Sequence, residues 1–201
     1  VSGKRKELFS VGIEADKFTP VSAEQQKMLK QKYGFDSSKP LVIHVGHCSK
    51  GRGLEDFTKI HTAQRMVVAS GMFEDENVVR ILNEAKVKIH KGYLQNVEEV
   101  YQMADAYLFP TRSAEFVISI PLSVMEALSC GVPVIGYKSF ENLKEITGSD
   151  GAITLVDSAE QLDQVLPEVI KKKRSRSLLE QTGSWSEVAQ SVLRMVREEN
   201  A

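Results

Sequence analysis

The chain has little of several things, and each shortage narrows the reading. Cysteine occurs twice, as Cys48 and Cys130, with neither the spacing of a zinc site nor the density of a disulfide framework, so a reducing compartment is the simpler setting. Charge of one sign is not in excess: 26 Lys and Arg face 27 Asp and Glu, a net charge of −1. That balance gives no general drive toward nucleic acid, and confines anion binding to local clusters. No apolar run is long enough to span a bilayer, because the most apolar window is broken by Pro121, Glu126, Gly131 and Pro133. No basic start followed by an apolar stretch marks a secretory signal. Neither a Walker pattern nor the dinucleotide G-x-G-x-x-G is present, no Asp-x-Asp appears, and there is no internal repeat. The first residue is Val1 rather than methionine, which suggests an internal piece of a longer protein.

What is there is enough for one substantial core: 201 residues, 42% of them hydrophobic. The stretch from Glu115 to Ile135 organises it. Between Phe116 and Tyr137 the only charged side chain is Glu126, and a carboxylate inside an apolar unit is costly to bury unless something donates hydrogen bonds to it. Ser119 reads as a cap and Pro121 as a first-turn residue of a helix through Leu122, Met125 and Leu128, with Gly131 past its end and Val132 to Ile135 as a buried strand. Glu126 then lies about a turn and a half into the helix. An ionised carboxylate accepts only, so its two oxygens suit the two hydroxyls of a vicinal diol such as a ribose. The plainer alternative is a buried ion pair with an arginine elsewhere.

Residues 1–20 read as a connector, with Phe18 as an anchor. A helix follows from Ser22, carried by Met28, Leu29 and Tyr33 and ended by Gly34. Leu41 to Val45 is a β-branched run of the kind buried on both faces of a parallel sheet. Directly after it comes GHCSKGRG, where Gly46, Gly51 and Gly53 permit tight turning, Lys50 and Arg52 supply charge, and a helix from near Leu54 points its free N–H groups back at the loop. This describes a place for a phosphate or diphosphate, or else a solvated glycine turn. Leu54, Phe57, Ile60 and His61 form the buried stripe of that helix.

Further strands are expected at Met66–Ser70, Val87–His90, Ala106–Phe109 and Ala152–Val156. Between them stand a helix opened by Glu74, Asp75 and Glu76, a helix capped by Asn96 and ended by Asp105, and a short helix at Phe140–Ile146. The acidic trio is read as dipole-favoured charge at a helix start rather than a metal site. Ala159–Ile170 is a helix in which Pro167 predicts a kink or an early stop. Lys171–Arg176 is the strongest basic cluster, either a solvated helix end or a contact with an anionic membrane. Ser184–Glu199 is a closing helix with Trp185, Val188, Val192 and Val196 spaced to dock on the domain.

Strand and helix alternate, which predicts an α/β fold: a doubly wound, Rossmann-like parallel sheet of about six strands with right-handed crossovers. Ligands of such sheets sit beyond the carboxyl ends of the strands. The glycine loop, the turn Gly92-Tyr93-Leu94, the PTRSAE segment with Arg112 and Glu115, and the Glu126 helix all emerge there.

At this level of detail the chain resembles the C-terminal, nucleotide-sugar-binding domain of family-four retaining glycosyltransferases of GT-B architecture. SVGIEADKFTP resembles the family's interdomain segment, HVGHCSKGRG its glycine-lysine loop, GYLQNVEEVYQMADAYLFPTRSAEF and SVMEALSCGVPVI its central motifs, and SWSEVAQSVLRMV its closing helix. The resemblance implies residues 1–20 as an interdomain connector, 21–170 as the donor-binding domain and 171–201 as a helical extension. It implies that Lys50, with Arg52, meets the donor diphosphate and that Glu126 holds the ribose. Glu115 then approaches the transferred sugar, which makes Lys50, Arg52 and Glu115 the catalytic set. Gly46, His47, Gly51, Gly92, Tyr93, Leu94, Arg112, Ser119, Ile120 and Leu122 complete the binding set. His47 stands where the family usually has arginine. Ten residues separate Glu115 from Glu126 where the family has seven, so a helix-side register puts Ile118 in the first-glutamate place.

The implied activity is transfer of a sugar from a nucleotide-diphosphate sugar with retained configuration, with no metal and no other cofactor. The acceptor domain would be N-terminal and absent from this chain, and the setting cytoplasmic, peripheral to a membrane if the basic cluster touches one. A sugar-nucleotide epimerase of the same architecture and a non-catalytic nucleotide-binding or interaction module are the rival readings.

Overall fold

The computed structural model describes residues 12–14, 16–116, 121–146, 151–172 and 184–199. Strands β1 (Leu41–Cys48), β2 (Gln64–Glu74), β3 (Lys88–Lys91), β4 (Ala106–Leu108), β5 (Val134–Tyr137) and β6 (Ile153–Val156) form one sheet. Its order is β3-β2-β1-β4-β5-β6, and every neighbouring pair is parallel. Around it run α1 (Ala23–Lys32), α2 (Glu76–Glu84), α3 (Val97–Met103), α4 (Leu122–Ser129), α5 (Asn142–Ile146), α6 (Leu162–Ile170) and α7 (Trp185–Glu199), with 3-10 turns at Leu54–Lys59, Ala114–Phe116 and Ala159–Gln161. The strand order reverses between β1 and β4. That is the switch point where loops from adjacent strands diverge and leave a crevice.

Alternation along β1 explains the two cores. Leu41 and Ile43 face a cluster with Met66, Tyr101, Tyr107 and Leu128, whereas Val42 faces Leu54, Phe57, Val67, Ile135 and Leu166. Burying such an aliphatic side chain contributes about 1.5–3 kcal/mol each, so both faces of the sheet are covered because both are apolar.

Local chemistry sets the helix starts. Ser22 and Gln25 form a reciprocal capping box, and Asp75 accepts the Asn77 and Val78 N–H groups at 2.9 and 3.3 Å. The acidic trio is divided: Glu74 ends β2 and pairs with Lys91 at 2.6 Å, whereas Asp75 caps α2 and Glu76 stands in its first turn.

Several expectations needed correction. β1 runs on through Gly46 and His47 to Cys48, so the strand itself carries the beginning of the glycine loop. The helix from Leu54 is a six-residue 3-10 turn. Leu54, Phe57 and Ile60 are buried but His61 is exposed, because the chain has left the turn and the His61 and Thr62 N–H groups go to Asp163. Met28 is 62% exposed, while Lys30 takes the buried face of α1 because it meets Asp105. Asn96 makes no side-chain capping bond. Asp105 does not close α3 either, since it accepts from Lys30, Gln26 and the Leu41 N–H.

Pro121 is the capping residue of α4 rather than a first-turn residue, and Ser119 lies outside the described residues. β5 starts at Val134. Pro167 does not stop α6, where Leu162, Leu166 and Val169 stay buried across the missing N–H. The stripe of α7 docks only at its start: Trp185 packs against Gly12 and Val188 is half-buried, but Trp185 stays 52% exposed, Val192 is exposed, and Val196 lies among side chains that are not described. Of the basic cluster, Lys171 pairs with Glu168, and Lys172 donates to Thr154 and the Gly151 carbonyl; 173–176 lie outside the described residues. No described helix is long and apolar enough to cross a membrane.

Candidate functional site

The loop after β1 is shaped by two glycines in the left-handed region, Gly51 at φ +85° and Gly53 at φ +76°. A Cβ on Gly51 would stand 2.4 Å from the Phe116 ring, and one on Gly53 would stand 2.5 Å from the Pro110 carbonyl oxygen. Both close approaches clamp the segment after β4 onto the loop after β1, across the switch point. Gly53→Ala is therefore expected to lower unfolding free energy by about 2 kcal/mol or more, from left-handed strain and the backbone clash together. Chemical denaturation would measure it, and an unchanged midpoint would contradict the packing.

On this loop Lys50 is exposed with no ion pair among the described residues. Arg52 is half-buried, also without a carboxylate partner among them. Desolvation by burial holds Arg52 below the usual guanidinium range, so its charge is poorly compensated by water or protein. His47 sits beside it, with Nδ1 2.6 Å from the Ser70 hydroxyl; burial and then the Arg52 charge push its pKa down. Arg112 is occupied differently. It pairs with Asp56 at 2.8 Å and lies 3.8 Å over the Tyr137 ring, whose hydroxyl donates to the same carboxylate at 2.6 Å.

Beside the loop, at the carboxyl ends of β1 to β3, a pocket of about 220 Å³ is lined by Val45, Gly46, Val68, Ser70, Leu94 and Val97. Gly92 turns there at φ +90°, and Tyr93, 88% exposed, stands at the rim. A second cleft of about 220 Å³ shares Tyr93, Leu94 and Val97 with the first and continues to Leu122, Glu126, Lys17 and Trp185. The two clefts are neighbours, the first lined mostly by apolar side chains and the second carrying a carboxylate.

Glu126 is held in that second cleft by Tyr101, whose hydroxyl donates to Oε2 at 2.6 Å. The fully buried Tyr101 ring is fixed edge-on against Phe18 at 5.7 Å and beside Tyr107. Burial raises the Glu126 pKa; the Tyr101 bond works the other way, Glu14 adds to the rise and Lys17 offsets it. The partner of Glu126 is thus a tyrosine rather than an arginine. A phenol occupies one oxygen and leaves the carboxylate accepting capacity on the cleft side.

The other sequence-derived positions fall as follows. Gly46 and His47 end β1, Lys50, Gly51 and Arg52 follow on the loop, Gly92, Tyr93 and Leu94 line the apolar pocket together with Gly46, and Leu122 and Glu126 line the second cleft. Glu115 is exposed on the Ala114–Phe116 turn, its N–H 3.3 Å from the Ser113 hydroxyl. Ser119, Ile120 and Ile118 lie outside the described residues. Sequence reading missed Tyr101, Phe116 and Trp185 as parts of this edge. Trp185, the single tryptophan, carried a signal by its rarity; Tyr101 carried none.

Six parallel strands with the order reversing at β1 and β4, and loops gathered over that point, define a Rossmann-like α/β domain. The chain belongs to the family described as Glycosyl transferases group 1, whose profile matches residues 40–172. Among curated relatives, it is 26% identical over 138 residues to sulfoquinovosyl transferase SQD2 of Arabidopsis thaliana, covering 66% of this chain and 26% of that protein. It is 22% identical over 186 residues to a GDP-mannose-dependent phosphatidylinositol monomannoside mannosyltransferase of Corynebacterium glutamicum, covering 86% and 49%. Among solved structures, Anabaena HepE in complex with UDP-glucose superposes with a TM-score of 0.78 at 15% identity, covering 96% of this chain and 57% of that one. WaaG, a glycosyltransferase of lipopolysaccharide biosynthesis, gives 0.65 at 18% identity, covering 92% and 55%. The chain therefore spans about half or less of these relatives, and its fold is that of one half of a GT-B glycosyltransferase.

Proposed function

We propose that this chain is the donor-binding part of a retaining glycosyltransferase, which transfers a sugar from a nucleotide-diphosphate sugar to an acceptor held by a further domain. The observation that carries the reading is the Tyr101-held carboxylate of Glu126 in a cleft adjoining the apolar pocket, which lies beside a glycine loop whose Arg52 has no carboxylate partner among the described residues. A nucleoside diphosphate needs both: a cationic, glycine-lined seat for its phosphates and an acceptor for its ribose hydroxyls. In this arrangement the apolar pocket beside Gly92 to Leu94 takes the base, and Lys50 joins Arg52 at the diphosphate. Gly46, His47 and Gly51 border the phosphates, and Leu122 borders the ribose.

As the bond from sugar to diphosphate breaks, its electron pair stays on the leaving phosphate oxygen. Cations already in place stabilise that charge without reorganisation, so the reading assigns no metal. Glu115 is proposed to approach the transferred sugar, with Ser119 and Ile120 near it. Arg112 contributes by holding Asp56 and the loop. Because the acceptor site is assigned to another part of the protein, the isolated chain is expected to bind donor and to transfer little.

Calorimetric titration with UDP, GDP, ADP and their sugar conjugates, with and without EDTA, tests this. Saturable binding that survives EDTA and weakens about a hundredfold in Glu126→Ala is expected, from two lost hydrogen bonds to a charged group. The same titration on the full-length protein, with analysis of products, separates transfer from epimerisation, which would convert donor with no acceptor present. A full-length protein that neither binds nor transfers would sink the proposal.

A further inference from the structure

His44 lies on β1 two residues before Gly46 and is wholly buried, its ring stacked on Tyr107 at 5.6 Å. Its Nδ1 is 3.0 Å from the Leu108 carbonyl oxygen. A carbonyl only accepts, so the proton is on Nδ1 and Nε2 is a bare acceptor. That Nε2 is buried with no hydrogen-bond partner. Groups left so are rare enough to need a reason.

The direction of Nε2 supplies one. The position of a Cβ on Gly46 would be 2.9 Å from Nε2 and 3.7 Å from Nη1 of Arg52, so the bare nitrogen and the guanidinium converge on the space that Gly46 leaves empty. Arg52 is a pure donor with no carboxylate partner among the described residues. Burial pushes His44 down to about 4, and the Arg52 charge adds to it, so the ring is neutral at pH 7 and keeps its acceptor.

We propose that His44 is a positioning residue for Arg52: Nε2 accepts one guanidinium N–H and so turns the remaining N–H groups toward the donor diphosphate. The proposal rests on the donor-site reading for its ligand, but the pairing of the two side chains does not. The competing role is structural, a tie from β1 to β4 through the Leu108 carbonyl alone.

Two substitutions separate the roles, because asparagine can replace the Nδ1 donor and glutamine can place an oxygen near Nε2. If His44 positions Arg52, His44→Gln keeps UDP affinity within about threefold of wild type and His44→Asn loses about tenfold, while uridine affinity changes in neither. If the tie to Leu108 is all that matters, the order of the two variants reverses, and that overturns the proposal. Side-chain ¹⁵N NMR of Arg52 gives a readout that needs no nucleotide. Slowed guanidinium exchange in wild type and His44→Gln, lost in His44→Asn, supports the pairing, and equal exchange in all three overturns it. Failure of wild type to bind UDP, GDP or ADP, with Arg52 still ordered through His44, would reject the donor-site reading and retain the pairing.

Discussion

A chain carrying Glu126→Gln is expected to melt no lower than wild type at neutral pH and yet to bind nucleoside diphosphate about thirtyfold more weakly. Charge-assisted hydrogen bonds are about twice as strong as neutral ones, so two ribose hydroxyls lose about 2 kcal/mol when the acceptor is no longer ionised. Stability moves the other way because burial raises the Glu126 pKa above its unfolded value, despite the opposing Tyr101 bond. An acid raised on folding binds its proton more tightly in the folded state. It therefore favours the fold most below its unfolded pKa, and that contribution is lost as pH rises through the folded pKa. The amide removes the charge and its desolvation cost while still accepting from Tyr101. Binding should also weaken in wild type as pH falls toward the raised value, because the protonated carboxyl is a poorer acceptor. Trp185 lines the same cleft and is the chain's single tryptophan, so its fluorescence reports both unfolding and occupancy. A Gln variant that is both less stable and equally tight would reverse the assignment of Glu126 from ligand acceptor to fold support.

The second large effect is on folding alone. Asp105→Ala is expected to cost about 3–5 kcal/mol, because it strands a buried ammonium. Lys30 is 4% exposed, and its Nζ has the Asp105 carboxylate at 2.5 Å and the Lys39 carbonyl at 2.9 Å. The same carboxylate accepts the Leu41 N–H at 2.8 Å and Gln26 at 3.1 Å, so it joins α1 to the first residue of β1 and to the turn before β4. For a chain of this size that corresponds to a melting temperature lower by roughly 10 °C. Replacing both partners, Lys30→Met with Asp105→Leu, should restore much of the loss, since the penalty comes from the uncompensated charge. Thermal unfolding of wild type and the two variants decides it. If the single and double variants were equally unstable, the pair would matter for its shape rather than its charge.

Lys30 drew no attention as sequence and Asp105 was read only as a helix end, and the reason is general to what the sequence made legible. The sheet was readable because its strands are short apolar runs between glycine and proline, and adjacency in sequence is enough to see that. The glycine loop and Glu126 were readable because each is anomalous in its own neighbourhood. The pairings of Lys30 with Asp105, Tyr101 with Glu126 and Phe116 with Gly51 join residues far apart along the chain, and nothing local to either partner announces the other. Assuming that periodic apolar residues are buried misplaced Met28, His61 and Trp185. Met28 yielded its place to a paired lysine, His61 fell after the chain had left its turn, and Trp185 covers Gly12 with only part of its ring.

Trp185 also closes on Gly12, where a Cβ would stand 2.7 Å from the indole, and next to it a β-bridge links Ile13 to Ser184. The wall of the Glu126 cleft is thus partly made of segments from opposite ends of the sequence, which among the described residues are joined by one bridge. A contact of that kind opens at a lower free energy than a parallel ladder does, so the Glu126 cleft has a wall of lower local stability than the sheet beneath it.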